Sequence, residues 1–331
     1  MSRSLLRMTS PFSTKFIWVP LLAFCSLNSL LLAQDEEKPK KELPPVESHV
    51  LETKDGVFLN VKFYPGTKGK ESIPIIMLHS MLNVSANSAV YTKLATAIQE
   101  HMGHAVIIPD LRGHGKSVER RNPRDINGRI EIDREKFSKA EFTSVVQDIV
   151  SCKSFLRAKN DEGQLNLEKL TVVGSDITAI LALNWAALDW NKPGKGLIRN
   201  GQDVKALILF TPLQSHKGLT PQLGLSHPTI KQNLNIMIIA GQQNPQYFSE
   251  SKRIHNQLTR FHKDQKNTDG TINWSGTKLF LFGLNTGAQG SGILQVANPE
   301  PHPNALFYNF LINRLEKDET LQWSSRDPNA L

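Results

Sequence analysis

Apolar and polar positions along the chain follow the periods of strands and of helices in turn. Apolar residues alternate with polar ones over residues 57–63, directly after a Lys54-Asp55-Gly56 turn signal. This pattern predicts a half-buried strand that forms an antiparallel hairpin with His49–Thr53. Six later runs are apolar without alternation, as in strands buried on both faces of a parallel sheet. These runs are Ile73–His79, Ala105–Pro109, Leu170–Gly174, Val204–Phe210, Ile236–Ala240 and Leu279–Phe282.

Between these runs, apolar residues recur at the three- and four-residue spacing of amphipathic helices. The helices predicted in this way are Ser85–Glu100, Lys139–Lys159, Ile177–Trp190, Phe248–His262 and Leu306–Leu315. Strands that alternate with helices after an antiparallel start predict an α/β fold with a mostly parallel, doubly wound sheet. The functional site of such a sheet lies beyond the carboxyl ends of its strands. The segment between Phe210 and Asn235 is short, which predicts a short lid and an open cleft.

The two ends of the chain depart from this pattern. Residues 1–33 combine early basic residues with the apolar stretch Phe16–Ala33, which predicts a cleavable export signal. An uncleaved membrane anchor is the alternative, because a stretch of about 18 residues is borderline for a membrane span. Residues 34–47 are charged and proline-bearing, which predicts a disordered linker. We expect one domain over residues 48–318 and a C-terminal tail over residues 319–331.

Composition and charge exclude several classes of function. The formal net charge of +8 in 331 residues is mild, and no basic patch is interleaved with aromatic residues, so no nucleic-acid partner is expected. Of the two cysteines, Cys25 lies in the signal, and Cys152 is predicted to be a buried thiol in a helix. A disulfide within the mature chain and a cysteine metal cluster are therefore excluded. No histidine pair with metal-ligand spacing and no nucleotide-binding glycine motif occurs, so no metal or cofactor is expected.

Four segments resemble the motifs of one family. Ile75–Ser80 (IIMLHS) is similar to a strand that precedes an oxyanion donor, and Pro109–Ser117 (PDLRGHGKS) to an Asp-x-Arg-Gly-His-Gly-x-Ser turn. Thr171–Ala182 resembles a strand–turn–helix nucleophile elbow, and Ile238–Pro245 (IIAGQQNP) the strand before a triad acid. The family is the α/β-hydrolase superfamily, on the side of serine esterases, lysophospholipases and related peptidases. Over residues 48–318 the resemblance implies the α/β-hydrolase fold, and a serine, an acid and a histidine at the catalytic positions.

Asp176 occupies the nucleophile position that the resemblance assigns to serine. Gly174 matches the small residue expected two positions earlier, whereas the β-branched Thr178 departs from the small residue expected two positions later. A carboxylate at the elbow is the nucleophile in the dehalogenase and epoxide-hydrolase branch of the superfamily. The alternative is that Asp176 caps the helix that begins at Ile177. Ser175 is a third candidate, but its flanking residues are too large for an elbow nucleophile.

The other two triad positions also depart from the resemblance. Asn244 stands where the triad aspartate is expected, and an amide carries no charge to stabilise an imidazolium. Gln289 stands where the catalytic histidine is expected, and glutamine cannot accept a proton near neutral pH. His302, before the last predicted helix, is the candidate rescue base if its loop folds back, and otherwise a surface residue.

The oxyanion position is altered as well. His79 ends the first buried parallel strand, and Ser80 follows it where relatives have glycine. The resemblance implies the backbone N–H groups of Met81 and Ile177 as the remaining oxyanion donors. The insert Val118–Lys136 carries five arginines among acidic residues. It predicts a solvated loop at the rim of the cleft, with the steering of an anionic ligand as the alternative.

These substitutions predict an exported protein of α/β-hydrolase fold that does not catalyse hydrolysis and binds a small molecule or a protein in the old cleft. The alternative is an active hydrolase of esters or other small electrophiles, with Asp176 as nucleophile and His302 or His114 as base. A third hypothesis is an anchored envelope protein, and a membrane contact is expected only if the signal is uncleaved. The expected location is the periplasm, the cell envelope or the extracellular space.

Overall fold

A computed structural model describes residues 43–83, 86–192, 200–262 and 266–326. The predicted export signal and most of the predicted linker lie outside the described residues. All described residues fall within one unit of the chain. Within these ranges, no helix combines the length and the apolar character that crossing a membrane requires.

The strands predicted from the apolar pattern form the central sheet. In the described ranges the strands are β1 Glu47–Glu52, β2 Phe58–Tyr64, β3 Pro74–Met77, β4 Ala105–Pro109, β5 Glu119–Asn122, β6 Asp125–Glu131, β7 Leu170–Ser175, β8 Val204–Phe210, β9 Asn235–Gly241 and β10 Leu279–Leu284. The main sheet has the order β1-β2-β4-β3-β7-β8-β9-β10, and β5 pairs with β6 in a separate hairpin. The pairs β1–β2 and β2–β4 are antiparallel, and the pairs from β4 through β10 are parallel. The predicted mostly parallel sheet with an antiparallel N-terminal hairpin is therefore confirmed.

Helices cover both faces of this sheet. They are α1 Thr92–Met102, α2 Lys139–Ser144, α3 Val146–Asp161, α4 Ile177–Trp190, α5 Gln222–Ser226, α6 Pro228–Gln232, α7 Pro245–Thr259 and α8 Pro303–Leu311. Apolar residues of α3, α4 and α7 pack in one core, and those of α1 and α8 pack in a second core. Neighbouring residues of one strand, such as Val172 and Val173, enter opposite cores. Burial on both faces explains why these strands are apolar without alternation.

Some boundaries differ from those the pattern predicts. The predicted helix Lys139–Lys159 is divided at Val145, whose N–H bonds back to the carbonyls of Phe142 and Thr143 instead of continuing one helix. The predicted helix Phe248–His262 begins earlier, because α7 starts with a proline whose fixed φ suits the first helical position. The predicted solvated loop in the insert contains the β5–β6 hairpin. Its strands are polar and exposed, so their sequence lacks the apolar alternation of a strand.

Both ends of the predicted domain extend further than the sequence indicates. Strand β1 begins at Glu47, within the predicted linker. Part of the predicted tail packs on the domain, because the Arg326 side chain is buried against Glu168 and Asp203. Lys70 lies over the ring of Trp323, with its ammonium 3.8 Å from the ring centre. The tail up to residue 326 therefore contributes to the folded domain.

Candidate active site

A sharp turn joins β7 to α4 at the carboxyl end of the sheet. Its residue Asp176 has φ 45° and ψ −104°, a conformation that L-residues rarely adopt. Gly174 permits the turn, because a Cβ atom there would lie 2.7 Å from the Cα atom of Ala179. The Asp176 N–H donates to the Phe210 carbonyl of β8 over 2.9 Å, which holds the turn against the next strand. Strain of this kind persists where the surrounding structure over-determines the backbone.

The Asp176 carboxylate lies among hydrogen-bond donors and is almost completely buried, with 1% of the residue exposed. Its Oδ1 accepts the Ile177 N–H over 2.7 Å, so the side chain caps α4. The Met81 N–H and the Ser80 side chain also lie near enough to favour the ionised form of the carboxylate. Met81 and Ile177 carry the two backbone donors that the resemblance assigns to an oxyanion. The carboxylate of the chain itself therefore binds one of these two donors and interacts electrostatically with the other.

Burial controls the ionisation of this carboxylate. Desolvation raises the pKa of Asp176 to about 7, although the hydrogen bonds from Ser80, Ile177 and Met81 and the positive charge of Arg134 favour the ionised form. The free energy of hydration that the charged form loses on burial is larger than the stabilisation that these partners provide. Near neutral pH the group is therefore divided between its protonated and ionised forms.

Arg134, which follows β6, brings positive charge to the site. Its guanidinium donates to the Met81 carbonyl and lies over the ring of Phe142, with its central carbon 5.1 Å from the ring centre. Burial lowers the pKa of Arg134, and the negative charge of Asp176 acts in the opposite direction. No signal in the sequence separates Arg134 from the other arginines of the insert, because its contacts arise only in the folded chain.

Thr178 fits the elbow through its hydroxyl group. The Thr178 Oγ1 accepts the Ser175 N–H over 2.7 Å and lies 3.1 Å from the Leu78 carbonyl, to which it donates. The Ser175 side chain is itself buried, and its Oγ is 2.9 Å from the Tyr91 hydroxyl. Burial raises the pKa of Tyr91, so this hydroxyl does not act as a base for Ser175 at neutral pH. The alternative nucleophile Ser175 therefore has a structural hydrogen bond in place of a base.

The predicted triad-acid position lies at the start of α7. Asn244 is the residue before the first turn of this helix, and its Oδ1 accepts the Tyr247 N–H over 3.5 Å. This long bond is a helix cap of ordinary kind. No hydrogen bond between Asn244 and Gln289 occurs in the described part of the chain. The structure does not connect these two positions as an acid and a base would be connected.

The predicted base position lies beside the elbow. The Gln289 Nε2 donates to the Gly287 carbonyl over 3.0 Å, and its buried Oε1 has no hydrogen-bond partner. The next residue, Gly290, touches the carboxylate, because a Cβ atom there would lie 2.4 Å from Oδ2 of Asp176. The structure thus brings the segment with Gln289 to Asp176, and a glycine backbone makes the contact.

His79 is a structural residue of the neighbouring loop. It is fully buried, and its Nδ1 donates to the Ser80 carbonyl over 2.8 Å while its Nε2 accepts the Leu111 N–H over 3.0 Å. Burial lowers the pKa of His79 to about 4, so the ring stays neutral at physiological pH. His114 packs edge-on against this ring at 5.1 Å, and burial lowers its pKa as well.

The candidate rescue base lies at a helix end. His302 is exposed and its Nδ1 accepts the Asn304 N–H over 3.2 Å, which caps α8. Among the described residues, no histidine forms a hydrogen bond or ion pair with the Asp176 carboxylate. The groups around the carboxylate are backbone N–H groups, hydroxyls and Arg134.

The central part of the chain matches a known protein family. A family model for the α/β hydrolase fold matches residues 73–233. This match and the order of the strands show that the chain has the α/β-hydrolase fold. Comparison with curated protein sequences gives no match.

Solved structures of superfamily members support the same fold. An acylaminoacyl peptidase of Pyrococcus horikoshii is 14% identical at a TM-score of 0.56, over 85% of this chain and 43% of the peptidase. This chain therefore spans less than half of that protein. Thermogutta terrifontis esterase 2 is 14% identical at a TM-score of 0.53, over 82% of this chain and 95% of the esterase. An esterase of Pyrobaculum calidifontis is 11% identical at a TM-score of 0.53, over 85% and 87% of the two chains.

The superfamily's most specific motif in this chain, PDLRGHGKS, has a structural role. The Asp110 carboxylate accepts the N–H groups of Ser88 and Lys116, each over 3.0 Å. Arg112 forms ion pairs with Asp55 in the β1–β2 turn and with the fully buried Asp148 in α3. The loop thus ties two parts of the α/β-hydrolase fold together behind the elbow.

The elbow residues Ser175, Asp176 and Gly290 are buried. Arg134 of the insert donates to the Met81 carbonyl, and its positive charge acts on the Asp176 carboxylate. The expected open cleft stays a prediction. In the described ranges, no group of three or more histidine, cysteine or acidic side chains is arranged to hold a metal ion.

Proposed function

We propose that this chain is an exported, non-catalytic member of the α/β-hydrolase superfamily that binds a small molecule or a protein at the mouth of the former active site. The observation that carries the proposal is the position of the Asp176 carboxylate. It accepts the Ile177 N–H over 2.7 Å and is also stabilised by the Met81 N–H, so the carboxylate lies beside both donors before any substrate arrives. Oxyanion stabilisation, usually the largest single contribution to such catalysis, therefore needs this carboxylate to move away.

The absence of a base at the elbow supports the same proposal. Gln289 replaces the expected histidine, and the neutral rings of His79 and His114 serve in the loop behind the elbow. Without a group that accepts a proton, neither attack nor the release of a covalent intermediate proceeds at a useful rate.

A second candidate function is supported by the ionisation of Asp176. A carboxyl group whose pKa is raised to about 7, at a strained elbow, has the features of a catalytic acid or nucleophile. In this alternative Asp176 would attack an ester or another small electrophile.

A hydrolysis assay separates the two candidates. The purified chain is incubated with a panel of aryl esters beside Asp176→Ala and the nearly isosteric Asp176→Asn. We expect no hydrolysis above the buffer rate for any of the three proteins. Hydrolysis by the unmodified chain that disappears in both variants, while their melting temperatures show that they are folded, would overturn the non-catalytic proposal and support the second candidate.

Export is tested by the mature N-terminus. The full chain is expressed in a bacterial host, and the protein recovered outside the cytoplasm is analysed by intact-mass measurement. We expect loss of residues 1–33, which contain the apolar stretch Phe16–Ala33. Recovery of the full-length chain in the membrane fraction would instead favour the anchored hypothesis.

A further inference from the structure

Three basic side chains gather around one aromatic ring at the carboxyl ends of the strands. The guanidinium carbon of Arg134 lies 5.1 Å from the centre of the Phe142 ring, and the Lys217 ammonium lies 5.6 Å from it. The His216 ring packs edge-on at 5.0 Å from the same ring. The lowered pKa of His216 reflects burial and the positive charges of Lys217 and Arg134, which shows that the three groups sense one another. We refer to Arg134, His216 and Lys217 as the basic cluster.

The two permanent cations of the basic cluster lack a carboxylate partner. Lys217 donates to the Phe137 carbonyl over 2.8 Å, and Arg134 donates to the Met81 carbonyl. Neither forms a salt bridge within the described ranges, and the buried Nε of Arg134 has no hydrogen-bond partner. The acidic group whose charge acts on Arg134 is Asp176, which is buried and already accepts the Ile177 N–H. The cluster therefore keeps hydrogen-bonding capacity for a further anion.

Three other basic residues of the same insert are paired with acids. Arg121 forms an ion pair with Glu52, and Arg129 forms one with Glu119. Lys136, two residues after Arg134, pairs with Asp133. Arg134 differs from these three residues because its guanidinium contacts a backbone carbonyl and an aromatic ring.

The backbone that carries the cluster is strained in the same place. Lys217 has φ 46° and Thr211, at the start of the same loop, has φ 44°, both in the region that favours glycine. The Lys217 ammonium donates to the Phe137 carbonyl, so the side chain connects this loop to the insert. Strained residues of this kind concentrate at ligand clamps and active sites.

We propose that the basic cluster binds the oxyanion group, a carboxylate or a phosphate, of a small ligand at the mouth of the cleft. Arginine presents a planar fork of donors to such oxygens, and lysine adds a point charge. Because the Asp176 carboxylate already occupies the buried turn beside Ile177, the ligand's anion binds outside it, between Arg134 and Lys217. This inference rests on the proposed binding function and assigns that function a ligand chemistry.

Calorimetric titration of the full-length chain at low ionic strength tests the proposal, with inorganic phosphate and citrate as probes. We expect binding that Arg134→Gln weakens at least about tenfold, since hydrogen bonds to charged groups are the strong ones. We expect Lys217→Gln to weaken it to a similar extent. Arg129→Gln is the matched control, because it removes the same charge from the same insert at an exposed, paired arginine, and it should leave the affinity unchanged.

The outcomes of the titration are separable. Binding of phosphate alone or of citrate alone supports the site and identifies the oxyanion that it selects. No binding of either probe, or equal weakening by the control and the two cluster variants, would overturn the proposal. Lys217→Gln keeps the test decisive if Arg134→Gln does not fold.

A failure of this inference is distinguishable from a failure of the proposed function. If the chain hydrolyses no ester and binds neither anion, the proposed oxyanion ligand is wrong and the non-catalytic proposal stands. Hydrolysis that depends on Asp176 removes the non-catalytic proposal whether or not the anions bind, because the assay and the titration measure different groups.

Discussion

A buried carboxylate lies at the sharp turn between β7 and α4. The Asp176 side chain accepts the Ile177 N–H, and the Met81 N–H and the Ser80 side chain also favour its charged form. Burial opposes this stabilisation, and its effect on the pKa is the larger one. The residue is therefore a source of pH dependence in the stability of the fold.

The stability of the chain should fall as pH rises from about 4 to about 7 because of Asp176. Its pKa is raised above the ordinary value of 3.8 to about 7, so the folded state binds more protons than the unfolded state in this window. Asp176→Asn removes this contribution, and its stability relative to the unmodified chain should increase by about 2 kcal/mol between pH 5 and pH 7. Urea unfolding of both proteins at the two pH values measures it. An identical pH dependence in both proteins would contradict the prediction.

The hydroxyl of Thr178 should contribute measurably to the elbow. Thr178→Val keeps the shape of the side chain but leaves the buried Ser175 N–H without its acceptor. We expect a loss of about 1–3 kcal/mol in the free energy of unfolding. Thr178→Ser retains the hydroxyl and is the control, which should lose clearly less. Equal losses in the two variants would mean that the methyl group, and not the hydrogen bond, matters at this position.

At the scale of elements, the Asp-x-Arg-Gly-His-Gly-x-Ser loop connects the N-terminal hairpin to α3. Arg112 is buried between Asp55 and Asp148, and its Nε donates to Asp148 over 2.9 Å. Ser117, at the end of the loop, accepts the Asn60 N–H of β2 over 2.8 Å. A motif that identifies the superfamily by sequence thus serves here to fix the order of elements.

Removing the partner of Arg112 should destabilise the whole domain. Asp148→Ala leaves a buried guanidinium with only the half-exposed Asp55 as counter-ion. Breaking a buried ion pair in this way costs about 3–5 kcal/mol. Asp133→Ala, which breaks an exposed pair with Lys136, is the control and should change little. Thermal and urea unfolding of the two variants compare the losses, and similar small effects in both would show that the buried pair is not essential.

At the scale of the whole molecule, the C-terminal segment closes the domain with a buried charge cluster. The Arg326 Nη2 atom lies 2.6 Å from Oε1 of Glu168 and 2.8 Å from Oδ1 of Asp203. Asp203 also forms an ion pair with Lys153. Glu168 lies just before β7 and Asp203 just before β8. Residues that follow the last helix therefore contact the segments that lead into these two strands. The predicted tail is part of the structure that any functional experiment must retain.

Loss of the Arg326 side chain should destabilise the entire domain. Arg326→Ala leaves Glu168 and Asp203 buried with fewer positive partners. We expect a loss of about 3 kcal/mol in the free energy of unfolding, at the low end for a broken buried pair because Lys153 and Lys205 remain nearby. Arg124→Ala, at an exposed arginine of the insert, is the control. An unchanged unfolding midpoint in Arg326→Ala would show that the C-terminal segment is dispensable.

Much of the sheet could be predicted from local pattern, whereas the hairpin of the insert and the contacts of Arg134 could not. The apolar runs found β3, β4 and β7 to β10 because strands buried on both faces exclude polar residues. The β5–β6 hairpin escaped prediction because it is polar and exposed on its own. Arg134 became a site residue only through its contact with Met81, which is 53 positions away in the chain.

The sequence by itself determined the α/β-hydrolase fold and the residues Asp176, Asn244 and Gln289 at the positions that the resemblance assigns to a triad. These follow from local signals: apolar runs, glycines where the backbone turns sharply, and residue types that either can or cannot carry a proton. Only the tertiary structure decided that the Asp176 carboxylate is buried and caps α4, that Asn244 caps a helix, and that Arg134 and Lys217 form no salt bridge among the described residues. Those outcomes depend on burial and on contacts between residues far apart in the chain, which the local sequence pattern does not determine.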